Sequence, residues 1–325
     1  MTVGIIGLGK MGTGITTKLH DEGHDVCCWN RTPETAQKLK KDLKKLDVLQ
    51  SIDKLVQSLS KPRIIWIMVP HTAVDEILAQ VKKYVEKGDV VIDGGNSHYL
   101  DSEKRFNSFE KLGIHFLGIG TSGGILAAEK GYPFMVGGSF EGYRIITPIL
   151  NSLSKPNGGH EYFGKGGAGH FVKMVHNGIE YGIMQSLGEG FEVLEKSAYK
   201  FDLLKIASLW QKGTLVSGFL LDRAKDALSK NQKLDDIVGV IDASGEAQWT
   251  IDTAKKEGVS VEIIERSLEY RKRSKIDQKI QQSFTAKMIA ALRREFGGHS
   301  VLSIRKPQGK QASLGNTQDK SRKRS

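Results

Sequence analysis

Along the first half of the chain, short apolar runs rich in β-branched residues alternate with amphipathic stretches. The runs 3–7, 24–30, 63–69, 89–95 and 114–120 include several that are apolar almost throughout, the pattern of strands buried on both faces of a parallel sheet. Between them lie the amphipathic segments 11–22, 33–46, 51–60, 73–86 and 101–112, each long enough for a crossover helix. This alternation predicts an α/β fold with a doubly wound, Rossmann-type sheet at the N-terminus. Residues 134–138 and the segment near 160–163 are candidates for further strands. After Gly166-Gly167-Ala168-Gly169 the period changes, and from about 169 to 296 one helical pattern follows another with no convincing strand. The expected organisation is a sheet domain over 1–168 and an all-helical domain over 169–302, with a long helix at 169–196 linking them. No repeat of solenoid period interrupts this plan.

A length of 325 residues suits two such domains. No apolar run is long enough to span a bilayer, and the opening residues lack the charged-then-apolar pattern of a secretory signal. Cys27 and Cys28 are adjacent and fit no disulfide, zinc or redox spacing, so a reducing, cytoplasmic setting and no metal site are expected. The net charge of +11 invites a nucleic-acid reading. However, residues 300–325 hold seven Lys or Arg against one Asp, more than half of the excess. A disordered basic tail over 303–325 is therefore expected, with contact to an acidic partner or nucleic acid as the lesser reading. The basicity that remains suits a small anionic substrate.

Gly7, Gly9 and Gly12 form G-x-G-x-x-G directly after the first expected strand, with Leu8 and Met11 inside the turn. The first glycine permits the tight turn, the second lets backbone approach a pyrophosphate, and the third lets helix and strand pack closely. Placed between a strand and a helix, the motif marks a dinucleotide site. At the end of the second strand stand Asn30, Arg31 and Thr32, where an acidic residue would otherwise hold the ribose hydroxyls of NAD. A neutral Asn followed by a guanidinium favours the 2′-phosphate of NADP, although Arg also stacks on the adenine of either cofactor.

Lys173, His176, Asn177, Glu180 and Tyr181 fall at helical spacing on one face of the segment 170–185. One reading is a solvated Lys–Glu stripe. The other is a catalytic face, because such a stripe is costly if buried without purpose. Oxidation of a secondary alcohol needs a base for the hydroxyl proton, and a desolvated Lys173 can serve. Once protonated, the same group stabilises the enolate formed when a β-keto acid loses carbon dioxide. Glu180 can then protonate the enediol carbon, with His176 and Asn177 as orienting partners.

The stretch 169–182, GHFVKMVHNGIEYG, resembles the active-site helix of the 6-phosphogluconate dehydrogenases almost letter for letter. IDGGNS (92–97), GTSGG (120–124), MVP (68–70) and FGGH (296–299) resemble further motifs of that family in order, at the lengths of its short bacterial form. The resemblance implies Lys173 as general base and Glu180 as general acid. It implies Asn96, Ser122, Gly123, Gly124, His176 and Asn177 as ligands of a sugar acid, and Tyr181 as a ligand of its phosphate. Val69, Pro70 and Asn96 would border the nicotinamide, and Asn30, Arg31 and Thr32 would select NADP. Arg293 and His299 would reach a neighbouring subunit's site, which implies a homodimer or tetramer.

Each of these also has a plainer reading. Ser122-Gly123-Gly124 can be only a turn, Asn96 a helix cap, Arg293 a solvated charge and His299 a loop residue. Long-form members carry two more phosphate-binding cations, and at the matching positions this chain is read as Ser217 and Ser244. The expectation is oxidative decarboxylation of 6-phosphogluconate to ribulose 5-phosphate. The two serines keep open a 3-hydroxyacid such as 3-hydroxyisobutyrate, oxidised without decarboxylation. An NADP-binding sensor without turnover is the non-enzymatic alternative.

Overall fold

The computed structural model describes residues 1–302, and the expected tail over 303–325 lies outside them. Strands β1 (Thr2–Ile6), β2 (Asp25–Trp29), β3 (Asp47–Val48), β4 (Ile64–Ile67), β5 (Val90–Asp93), β6 (His115–Thr121), β7 (Pro133–Gly138) and β8 (Gly159–Gly164) form one sheet. Their order is β3-β2-β1-β4-β5-β6-β7-β8, so the chain crosses over at β1 and winds outward in both directions. Helices α1 (Lys10–Asp21), α2 (Pro33–Asp42), α3 (Ile52–Ser58), α4 (His71–Val81), α5 (Tyr99–Glu110), α6 (Ala127–Lys130) and α7 (Phe140–Ser154) belong to this half. Apolar clusters fill both faces of the sheet, one around Ile5, Trp66 and Leu150, the other around Ile67, Leu78 and Phe116.

Two local departures from the sequence reading have simple causes. The helix expected over 33–46 stops at Asp42, because the next residue, Leu43, turns extended and is buried with Leu46. The chain then makes β3 beside Cys27 and Cys28. The sheet is also not wholly parallel: β7 runs antiparallel to β6, since residues 122–132 are too short for a full crossover helix. Cys27 and Cys28 are buried thiols, and burial raises them to about 11 and about 12, so neither is reactive at neutral pH.

From Ala168 onward the described residues are helical: α8 (Ala168–Lys196), α9 (Leu203–Trp210), α10 (Phe219–Lys230), α11 (Glu246–Lys256), α12 (Glu262–Ser274), α13 (Gln278–Gln282) and α14 (Phe284–Gly297). Helix α8 is the spine. Its first turns lie against β6, where Gly120 makes room for Lys173: a Cβ at 120 would stand 2.3 Å from that of the lysine. Farther along, the Thr250 hydroxyl of α11 donates to the Met174 carbonyl at 2.9 Å. Helix α14 packs along α8 as well, which brings the chain after it back toward the sheet. No helix of the described residues is long and apolar enough to cross a membrane. No group of three His, Cys, Asp or Glu among them is placed to hold a metal ion.

Candidate active site

The carboxyl ends of β1, β4, β5 and β6 open onto a cavity of about 1210 Å³ whose opposite wall is α8. Gly7 has a left-handed φ of 101°, and a Cβ on Gly12 would stand 2.1 Å from the Gly7 carbonyl oxygen, so the turn requires both glycines. Gly9, at the N-terminus of α1, faces open space, the close approach a pyrophosphate needs. Gly9, Met11, Gly12, Val69 and Asn96 line the cavity. Gly7 and Leu8 shape the turn from behind, and Pro70 caps α4. The Leu8 backbone N–H donates to Asn30 Oδ1 at 2.8 Å, and Asn30 Nδ2 donates to the Thr32 carbonyl at 2.9 Å. Asn30 therefore braces the glycine turn, while Arg31 stands exposed at the strand end. These features fit a dinucleotide: the turn and α1 would hold its pyrophosphate, and Arg31 its adenosine end.

Lys173, His176, Asn177, Glu180 and Tyr181 all line the cavity, together with Ser122, Gly123, Gly124, Arg293 and His299. Every substrate ligand and catalytic group expected from the sequence is thus drawn to one place. The stripe is not separated from its apolar neighbours, since Phe171, Val175 and Ile179 also border the space, while Met174 is core. Lys173 is 7% exposed, and its Nζ lies 3.3 Å from Ser122 Oγ and 3.4 Å from His176 Nδ1. Burial lowers its pKa from the ordinary lysine value, against the upward pull of the Glu180 and Glu246 carboxylates. Burial raises Glu180, and Lys173 opposes that shift. A base eased toward its neutral form and an acid eased toward its protonated form share one helix face.

The remaining groups follow the same logic. Burial lowers His176, and the Lys173 charge lowers it further, so the ring is neutral beside Asn177. His299 is pushed down to about 4 by burial and by Arg293 and Lys10. Arg293 and His299 both border the cavity of their own chain, because α14 runs along α8 and ends there. The Lys10 ammonium donates to the Gly298 carbonyl and ties that end to the glycine turn.

Three site residues escaped sequence reading. His170, 1% exposed, lies 3.0 Å through Nε2 from the Gly95 carbonyl and 2.6 Å through Nδ1 from Ser102 Oγ, pinning the loop after β5 to α8. It stands one turn before Lys173, and that spacing was the available signal. Glu246 projects into the cavity from the start of α11. Arg271 of α12 is 2% exposed, lines the cavity, and places its guanidinium carbon 3.3 Å from the Tyr181 ring centroid. Burial lowers Arg271 to about 10. Ser217 is exposed and does not border the cavity, whereas Arg271 does. Ser244 does border it.

The fold and this site define a nicotinamide-dependent oxidoreductase. Residues 2–166 match the model of the NAD binding domain of 6-phosphogluconate dehydrogenase, and residues 169–294 match that of the 6-phosphogluconate dehydrogenase C-terminal domain. The chain belongs to the 6-phosphogluconate dehydrogenase family. It is 42% identical over 301 residues to the Bacillus subtilis protein named "Putative 6-phosphogluconate dehydrogenase YqeC", covering 93% of this chain and 99% of that one. It is 35% identical over 303 residues to the NAD(+)-dependent, decarboxylating 6-phosphogluconate dehydrogenase of Haloferax volcanii, covering 93% and 98%. The solved 6-phosphogluconate dehydrogenase of Plasmodium falciparum, described in complex with NADP+ and with 6-phosphogluconate, aligns with a TM-score of 0.77 at 31% identity. That alignment covers 84% of this chain and 62% of the longer Plasmodium chain.

Proposed function

We propose that this enzyme oxidises 6-phosphogluconate with NADP and decarboxylates the product to ribulose 5-phosphate. The observation that carries this reading is a pair of buried guanidinium groups, Arg271 and Arg293, in the cavity that holds Lys173 and Glu180. Among the described residues neither arginine forms an ion pair with a carboxylate. Arg271 reaches the Asp242 carbonyl at 3.5 Å, the Met184 sulfur at 3.8 Å and the Tyr181 ring. Unpaired buried cations of this kind favour an anionic ligand, and a phosphate offers oxygens for both.

The cofactor supplies a hydride acceptor. Lys173 takes the proton of the substrate's C3 hydroxyl as the C3 hydride leaves. In the resulting β-keto acid, the ammonium of Lys173 stabilises the oxyanion as the bond from C1 to C2 breaks and carbon dioxide departs. Glu180 then delivers its proton to C2 of the enediol, and the keto product forms. Residues 173 and 180 lie two turns apart, about 10 Å along the axis, so base and acid approach different atoms of the substrate. Product analysis tests the reading: ribulose 5-phosphate from 6-phosphogluconate is expected, and faster oxidation of 3-hydroxyisobutyrate would refute it. The division at 168/169 and a homodimer or tetramer covering the exposed Ile179, Ile183 and Val193 of α8 belong to the same proposal, as does a cytoplasmic location.

Two further results are expected. Arg31→Ala should weaken NADP by about tenfold or more, through loss of a charge-assisted contact, while NAD changes little. Steady-state titration of both cofactors checks this, and equal losses would remove the assignment of NADP. Glu180→Gln should move the rising limb of hydride transfer to lower pH. The neutral amine of Lys173 is the reactive form, so the rate rises through its pKa, and the Glu180 carboxylate holds that pKa up. Single-turnover nicotinamide absorbance against pH reads the shift, and movement to higher pH would contradict it.

A further inference from the structure

We infer that Glu246 is a specificity-determining residue that turns one wall of the cavity into a recogniser of substrate hydroxyl groups, an inference that rests on the sugar-acid reading above. Glu246 is 4% exposed, and its two carboxylate oxygens are engaged separately. Oε1 accepts from Asn96 Nδ2 at 3.0 Å, and Oε2 accepts from Ser244 Oγ at 2.6 Å. A carboxylate only accepts hydrogen bonds, so it dictates which way its neighbours face. The single hydroxyl hydrogen of Ser244 is consumed, leaving oxygen lone pairs. The Asn96 amide is turned with its NH₂ toward Glu246, which frees Oδ1.

Asn96, Ser244 and Glu246 all border the same space, and they offer it mainly acceptors. Acceptors at this spacing select hydroxyl donors. Among the described residues Glu246 makes no ion pair with Arg271 or Arg293, so the carboxylate does not neutralise the anion-binding groups of the same cavity. The cavity therefore divides into a cationic part for charged oxygens and an acceptor wall for neutral hydroxyls.

The wall is held from both halves of the chain. Trp249, one turn along α11, sits edge-on to His71 at 5.5 Å and to His98 at 5.1 Å, which follow β4 and β5. On its other side, α11 is fixed to α8 by the Thr250 hydroxyl on the Met174 carbonyl. A site so braced discriminates by leaving its acceptors unpaired when a hydroxyl is missing.

The test compares 6-phosphogluconate with 3-hydroxy-6-phosphohexanoate, which keeps both charged ends and the reacting hydroxyl but lacks the other three. The full-length wild-type enzyme should prefer 6-phosphogluconate in kcat/KM by about a hundredfold or more. In Glu246→Ala that preference should fall by about tenfold or more, with the loss mainly in KM for 6-phosphogluconate. Ser244→Ala, which leaves the buried carboxylate in place, should lower the preference in the same direction by a smaller factor. Dinucleotide affinity and melting temperature report that both variants are folded. An unchanged preference in both variants, or equal losses on the two substrates, would overturn the inference. If the wild type oxidised neither compound, the assigned reaction would fall. Calorimetric affinities for the two compounds would then decide the role of Glu246 by the same ratio.

Discussion

Lys173→Met is expected to slow hydride transfer by about a thousandfold or more while leaving dinucleotide affinity within about twofold. Methionine keeps the length and apolar stem of lysine, so the close packing of residue 173 on Gly120 survives. What is lost is the only amine placed beside Ser122 and His176 on the wall that faces the glycine turn, among the described residues. His176 is a poor substitute as a base, because the Lys173 charge is one cause of its lowered pKa but burial is the larger one and remains. Stopped-flow reduction of the nicotinamide, with a separate titration of cofactor binding, distinguishes chemistry from binding. Wild-type rates in the variant would show that another group takes the hydroxyl proton.

Arg271→Leu and Arg293→Leu are each expected to raise KM for 6-phosphogluconate by about tenfold to a hundredfold, corresponding to about 1.5–3 kcal/mol for a charge-assisted contact. The effect on unphosphorylated gluconate should be much smaller. Stability is expected to move the other way. Each guanidinium is buried at 2% and 8% exposure without a carboxylate partner, so replacing it by an apolar side chain removes a desolvated charge. Melting temperatures should hold or rise. A loss of affinity that is equal on both substrates, or a marked fall in melting temperature, would show that the arginines serve packing rather than the phosphate.

Much of this site was legible before any coordinates, and the reason is local. Period and turn chemistry are short-range signals: the glycines at 7, 9 and 12 mark a turn wherever they fall between strand and helix. The polar face of α8 shows itself through i, i+3, i+4 and i+7 spacing alone. Asn96 and Ser122 were reachable through their motifs, and the structure brings both to the cavity that Lys173 lines. Arg271 was not reachable in this way. It lies on a helix whose other residues, Glu265, Arg266, Glu269 and Lys272, form an ordinary charged face, so nothing in the spacing marks one arginine as buried. Glu246 is similar, because its partner Asn96 meets it only through the docking of α11 against the loop after β5. The end of α2 illustrates the same limit in the fold: helix propensity continues past Asp42, but burial of Leu43 and Leu46 in the tertiary core wins.

The most direct measurement follows nicotinamide reduction by the full chain on 6-phosphogluconate and NADP while released carbon dioxide is trapped. One carbon dioxide for each nicotinamide reduced is the expected result if, as proposed, Lys173 and Glu180 serve oxidation and decarboxylation from one helix face. Reduction without carbon dioxide, or turnover confined to an unphosphorylated 3-hydroxyacid, would contradict it.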